Sequence, residues 1–243
     1  MVKSVRPVLI YLPGLDGTGK LFYQQEANLA PYCEVRVLAV PLDDRRDWPE
    51  LTQQVLDLLP GPEQPVILCG ESFGGCIALL AALAWPGRFR HLVLINPATS
   101  WRRQTLLQQG AQGLSILPAF TFRFAALFFM PFLVTVSRMK REDRRVLLAI
   151  LRLVPAETII HRLKLLDSLN VDDELHRLTL PVLLVAGAAD RLLPSLAEVK
   201  HLAELMPDAR IEVLPYSGHA VLIESEMDLA RLLLQYDFLM RTE

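Results

Sequence analysis

One serine in this chain has the neighbours that a nucleophile needs. Ser72 lies in Gly70-Glu71-Ser72-Phe73-Gly74-Gly75, a G-x-S-x-G pattern. Glycines two residues either side let a strand and a helix pack closely around a sharp turn, which pushes the serine hydroxyl outward. A hydroxyl so placed attacks a carbonyl once a base takes its proton. The chemistry would be acyl transfer. It also requires a carboxylate to orient the base and N–H donors to hold the oxyanion.

The chain has five histidines, at 91, 161, 176, 201 and 219. His91 opens a strand expected to be buried. His161 and His176 fall in a helical stretch, and His201 is mid-helix, where a solvent-facing role is the plain expectation. His219, in Ser217-Gly218-His219, follows the last strand and precedes the last helix. Loops at the carboxyl ends of parallel strands are where open α/β sheets bind ligands. His219 is therefore the expected base. Asp190, in Gly187-Ala188-Ala189-Asp190-Arg191, also stands just past a strand end and is the expected acid. The order Ser72, Asp190, His219 is the Ser…Asp…His order of strand–turn–helix nucleophiles. A turn aspartate capping the helix after Pro194 is the structural alternative for Asp190. Glu224 is the reserve acid, although it is also expected to begin the last helix.

Oxyanion donors come from two places. The amide of Phe73 opens the helix after the serine, where N–H groups lack intrahelical partners. The loop Leu12-Pro13-Gly14-Leu15-Asp16-Gly17-Thr18-Gly19 follows the first strand, and the amide of Leu15 is the expected second donor. Asp16 reads as turn chemistry in an Asp-Gly pair.

Short apolar runs and helical periodicity alternate in both end portions of the chain. Strands are expected at Val8–Leu12, Glu34–Val40, Val66–Glu71, His91–Asn96, Pro181–Ala186 and Arg210–Leu214. Helices are expected from Asp47, with Glu50 completing a capping box, to Leu59; from Gly74 to Trp85; from Ser195 to Met206; and from Glu224 to Leu239. Such alternation predicts an α/β protein: a mostly parallel six-stranded sheet with helices on both faces. Residues 101–178 show helical periodicity only. They are expected to form an all-helical lid inserted into a core made of residues 1–100 and 179–243.

Composition narrows the function classes. The 243 residues are 52% hydrophobic and 21% charged, with a net charge of −2. That supports a large core and excludes a basic nucleic-acid surface. Cys33, Cys69 and Cys76 match no metal-ligand spacing; Cys69 and Cys76 flank the serine turn as small buried residues. No metal or other cofactor is expected. The N-terminus lacks the apolar region of a secretory signal, so a cytoplasmic location is expected. Leu114 to Val136 has a bilayer-spanning length, but Pro118, Pro131 and the central Arg123 argue against insertion. Peripheral lipid contact through the lid is compatible with it. Phe120, Phe124, Phe128 and Met130 in this stretch are the expected lining of an apolar substrate pocket, with lid packing as the structural alternative.

The loop Leu12–Gly19, the turn Gly70–Gly75 and Asn96-Pro97-Ala98-Thr99-Ser100 together resemble the hydrolase portion of plastid and cyanobacterial phytyl ester synthases. More widely, the chain resembles esterases with the α/β-hydrolase fold. The likeness runs over nearly the whole chain, although residues 101–178 match in character only. It implies acyl chemistry on long-chain esters or alcohols, with Ser72 as nucleophile, Asp190 as acid and His219 as base. Two departures are evident. Many relatives carry His-Gly where this chain has Pro13-Gly14, and the plastid enzymes carry an acyltransferase-like region where this chain ends at Glu243. Two leading antiparallel strands of the family are also expected to be missing. The expected activity is therefore hydrolysis of carboxylic esters bearing apolar acyl or prenyl-type groups. Acylation of a long-chain alcohol such as phytol is one alternative, and a non-hydrolytic receptor for apolar ligands is another.

Overall fold

A computed structural model describes residues 6–114 and 130–240. Six strands form one sheet: β1 (Val8–Leu12), β2 (Glu34–Val37), β3 (Val66–Glu71), β4 (His91–Ile95), β5 (Val182–Gly187) and β6 (Ala209–Leu214). Their spatial order is β2-β1-β3-β4-β5-β6, and every pairing is parallel. The α/β-hydrolase architecture expected from the sequence is therefore present.

The apolar strands are uninterrupted because both faces of the sheet are covered. Alternation then divides each strand between two cores. Val8, Ile10 and Leu12 of β1 join one apolar cluster, while Leu9 and Tyr11 join the other. The first cluster takes in helices α2 (Trp48–Asp57) and α3 (Phe73–Ala84) and residues such as Leu166 and Leu175. The second is closed by α1 (Tyr23–Leu29), through Leu29, and by Leu232 and Leu233 near the C-terminus. Asp47 and Glu50 form the expected capping box at the start of α2, with Glu50 N–H donating to Asp47 Oδ1 and Asp47 N–H to Glu50 Oε2.

Strand order reverses at β1. From there the chain first goes outward to β2, then returns to place β3 on the other side. This is the switch point at which open α/β sheets hold ligands. Leu12, the last residue of β1, is in register with Gly70 of β3, so the loop after β1 and the serine turn after β3 emerge side by side.

Residues 101–178 contain α4 (Thr105–Leu114), α5 (Arg141–Leu153) and α6 (Ala156–Ser168), with no strand among the described residues. Hydrogen bonds with residues 48, 101 and 42 are among those that hold α6 in place. Trp48 Nε1 donates to Leu165 O at 3.0 Å, Trp101 Nε1 to Asp167 Oδ1 at 2.7 Å, and Thr158 Oγ1 to Leu42 O at 2.6 Å. No helix among the described residues is long and apolar enough to cross a membrane.

Two elements differ from expectation. β2 stops at Val37 rather than Val40, because the chain swings toward the loop after β1, where Val40 N–H donates to Gly17 O. The last helix does not begin at Glu224. A single 3-10 turn covers Val221–Ile223, and the final helix spans Leu229–Gln235, capped by Asp228; with α7 (Ser195–Leu205) before it, it is α8. The Glu224 side chain is drawn into the core by its own hydrogen bonds, which stops it from opening a helix.

Candidate active site

Ser72 has φ 53° and ψ −116°, a conformation costly for a residue with a side chain. The surroundings hold it there. Ser72 N–H donates to Ile95 O, and Ser72 O accepts from the N–H groups of Gly75 and Ala98. A Cβ on Gly74 would lie 2.0 Å from Leu12 O, and one on Gly70 would lie 2.4 Å from Gly74 O. The two glycines are thus required by close backbone approach.

The serine hydroxyl meets one end of a chain of polar contacts. Ser72 Oγ is 2.8 Å from His219 Nε2, and His219 Nδ1 is 2.7 Å from Asp190 Oδ2. The histidine and the aspartate side chains are buried. Three segments distant in sequence, each just past a strand end, supply these groups.

Asp190 is fixed on all sides. Its Oδ1 accepts from the N–H groups of Leu192 and Leu193, at 2.8 and 3.1 Å, and its Oδ2 also accepts from Ser195 Oγ. The turn role and the histidine contact are both real, and the turn bonds aim the carboxylate at His219. Burial alone would raise the Asp190 carboxyl. The charge of His219 and the hydrogen bonds from His219, Ser195 and Leu193 outweigh it and hold the group below the ordinary aspartate value.

The loop after β1 folds over the serine. Gly17 N–H closes a turn onto Gly14 O at 3.0 Å. Asp16 Oδ2 accepts from Thr18 N–H at 2.9 Å and from Thr18 Oγ1 at 2.6 Å, so Asp16 does the expected turn chemistry. A Cβ on Gly14 would stand 3.6 Å from Ser72 Cβ, which brings the peptide carrying the Leu15 N–H beside the serine. Phe73 begins α3, and its amide lies at the positive end of that helix.

This geometry can be set beside known proteins. Residues 45–226 match the Hydrolase_4 family model, described as serine aminopeptidase, S33. The chain belongs to this family. It is 31% identical to phytyl ester synthase 1, chloroplastic, of Arabidopsis thaliana over 92% of its length, and spans 36% of that protein. It is 30% identical to the pimeloyl-[acyl-carrier protein] methyl ester esterase of Nitrosomonas europaea, over 70% of this chain and 69% of that one. Among solved structures, MenH from S. aureus superimposes with a TM-score of 0.79 at 16% identity, covering 97% of this chain and 94% of that one. The last likeness is one of fold.

Within this α/β-hydrolase frame the structure brings Ser72, Asp190 and His219 together, with Phe73 directly after the serine and Gly14, the neighbour of Leu15, packed against it. Glu224, the reserve acid, is elsewhere engaged. It is fully buried, accepting from Gly218 N–H at 2.8 Å and Thr135 N–H at 3.3 Å through Oε1, and pairing with Arg138 through Oε2 at 3.0 Å. It thereby ties the loop bearing His219 to residues 135–138. Of the pocket candidates, Met130 is partly buried against a cluster of Val134, Met139, Leu147 and Ile223. Phe120, Phe124 and Phe128 lie outside the described residues. His161 Nε2 contacts Arg46 O, His201 pairs with Asp172, and His91 stacks on Phe238, so each has a local role away from the serine.

Three site residues escape sequence reasoning. Asn96 is fully buried with φ 43° and links β4, β5 and the histidine loop. Its sequence signals are that Asn tolerates positive φ at a strand end and that it opens the Asn96–Ser100 stretch, neither of which points to its partners. Glu71 sits beside the nucleophile and accepts from Tyr11 Oη at 2.7 Å. Burial pushes its carboxyl up to about 7, against the lowering effects of the Tyr11 bond and the His219 charge. Arg162, on α6, is buried against the loop after β1.

Proposed function

We propose that this protein is a serine esterase acting on carboxylic esters with an apolar acyl or prenyl-type group. The observation that carries the reading is the Asp190–His219–Ser72 contact chain, with both links within hydrogen-bonding distance. His219 takes the Ser72 proton as Oγ attacks the ester carbonyl. The tetrahedral oxyanion is held by the amides of Leu15 and Phe73. His219 then gives the proton to the departing alkoxide, leaving an acyl-serine and a free alcohol. Water, deprotonated by His219, adds to the acyl carbon, and the carboxylic acid leaves as Ser72 regains its proton. Asp190 stabilises the imidazolium in both halves.

The low-lying Asp190 carboxyl supports this role, because it stays ionised while His219 cycles. Residues 101–178 act as a lid whose apolar lining, with Phe120, Phe124, Phe128 and Met130, receives the substrate. The same segment makes peripheral contact with lipid. A second reading has the acyl group passed to a long-chain alcohol instead of water. It is favoured by the identity with phytyl ester synthase 1 across 92% of this chain. Neither course calls for a metal or another cofactor.

A nitrophenyl ester series of rising acyl length, assayed with and without phytol, tests both readings. The esterase reading expects a rate maximum at medium or long chains, and phytol leaves the free acid as the main product. Phytyl ester as the main product would replace hydrolysis by transfer. Tight binding of the esters with no turnover would leave the receptor reading in its place.

A further inference from the structure

The buried guanidinium of Arg162 has no part in the contact chain of the triad, yet the oxyanion loop is moulded around it. Arg162 is 1% exposed. Its Nη1 donates to Leu15 O at 2.6 Å, and its Nη2 donates to Pro41 O at 3.3 Å. A Cβ on Gly17 would stand 2.6 Å from Nη1 and 2.7 Å from Nη2, and Gly17 itself has φ 69°. The turn from Gly14 to Gly17 therefore lies directly on the planar group. Arg162 Cζ also stands 6.0 Å from the centre of the Phe73 ring. Burial pushes the guanidinium below its ordinary value, and the charges of nearby Asp44 and Asp16 offset part of that. One side chain from residues 101–178 thus touches both of the segments that carry the oxyanion amides.

We infer that Arg162 is a positioning residue, which fixes the Leu15 amide at the oxyanion site by gripping the carbonyl of the same residue. The inference rests on the serine esterase reading and deepens it: the helical insertion helps to build the oxyanion hole as well as covering it. A planar fork suits this task because it reaches two carbonyls at once from a fixed direction. Arg162 acts through Leu15 and touches no reacting atom. Its loss should therefore weaken transition-state binding and leave ester binding nearly unchanged.

The test compares Arg162→Met, Arg162→Lys and Gly17→Ala with the parent, and runs Ser72→Ala in parallel. Each variant is first checked for folding by circular dichroism and thermal melting. Expected for Arg162→Met is a kcat lower by roughly 10- to 100-fold, since a small misplacement of a catalytic donor has such effects, with KM within about threefold. Inhibition by an alkyl trifluoromethyl ketone, which forms a tetrahedral adduct on the serine, should weaken in proportion to kcat. Arg162→Lys should recover part of the loss through one carbonyl. If Arg162→Met does not fold, Arg162→Lys carries the readout, and Gly17→Ala, which strains the φ 69° turn as well as crowding the guanidinium, overturns the inference if its kcat is parental. A folded Arg162→Met or Gly17→Ala with parental kcat, or with a loss carried by KM alone, overturns the inference. Full activity in Ser72→Ala would remove the esterase reading and this inference with it. An inactive Ser72→Ala beside a fully active Arg162→Met would overturn this inference alone.

Discussion

Asn96 holds His219 by its backbone: Asn96 Nδ2 donates to His219 O at 2.6 Å. The same nitrogen donates to Gly218 O at 3.0 Å, and Asn96 Oδ1 accepts from Gly187 N–H at 2.8 Å. One buried amide therefore joins the end of β4 to the end of β5 and to the loop that presents the imidazole. Asparagine suits the position because it offers a donor and an acceptor together and tolerates φ 43°. Asn96→Ala should destabilise the fold by about 3 kcal/mol, because it leaves buried carbonyls and an N–H without partners. It should also lower kcat, since His219 loses its anchor. Urea denaturation and ester kinetics on one preparation measure both. A loss under about 1 kcal/mol with parental kcat would mean that the histidine loop is held by other contacts.

Two of the buried carboxylates near His219, Asp190 and Glu224, should separate cleanly. Asp190→Asn keeps the shape and removes the charge that stabilises the imidazolium, so kcat should fall by about 10,000-fold. Glu224→Gln should leave kcat within about tenfold of the parent, as Glu224 faces the backbone and Arg138 rather than the imidazole ring. Its cost is in stability, about 2–3 kcal/mol, from the broken pair with a partly exposed Arg138. Should Glu224→Gln abolish turnover while Asp190→Asn stays active, the roles of the two acids are reversed.

Glu71 makes stability depend on pH in an unusual sense for a carboxylate. Its folded value is raised to about 7, from an ordinary 4.5. Between those values the folded chain holds a proton that the unfolded chain has released. Stability from this group is therefore fully present below about pH 4.5, falls as pH rises, and levels off above about 7. The whole effect is about 3 kcal/mol. Glu71→Gln keeps an acceptor for Tyr11 Oη and cannot ionise, so the variant should gain on the parent from pH 5 to about pH 7 and level off by pH 8. Urea midpoints across that range decide the matter, and parallel curves for the two proteins would contradict it.

Much of the frame is legible in the sequence because it depends on local signals. Strands buried on both faces read as apolar runs, and the Asp47–Glu50 capping box marks the start of α2. Ser72, Asp190 and His219 are legible because each follows a strand end with turn residues around it. Residues whose importance comes from distant partners are not legible in this way. Asn96 meets Gly218 and His219 more than a hundred residues later, and Arg162 meets Leu15 across a similar separation. Glu224 shows the converse. Its local sequence suits a helix start, but the pull of Arg138, Thr135 and Gly218 places it in the core instead.

The central claim is that Ser72 carries the acyl group. A fluorophosphonate probe, read by intact mass and peptide mapping, tests it most directly when paired with ester hydrolysis by Ser72→Ala. The account predicts one label per chain, on Ser72, with labelling and esterase activity both lost in Ser72→Ala. A label on another residue, or a Ser72→Ala protein that hydrolyses esters at the parental rate, would contradict it.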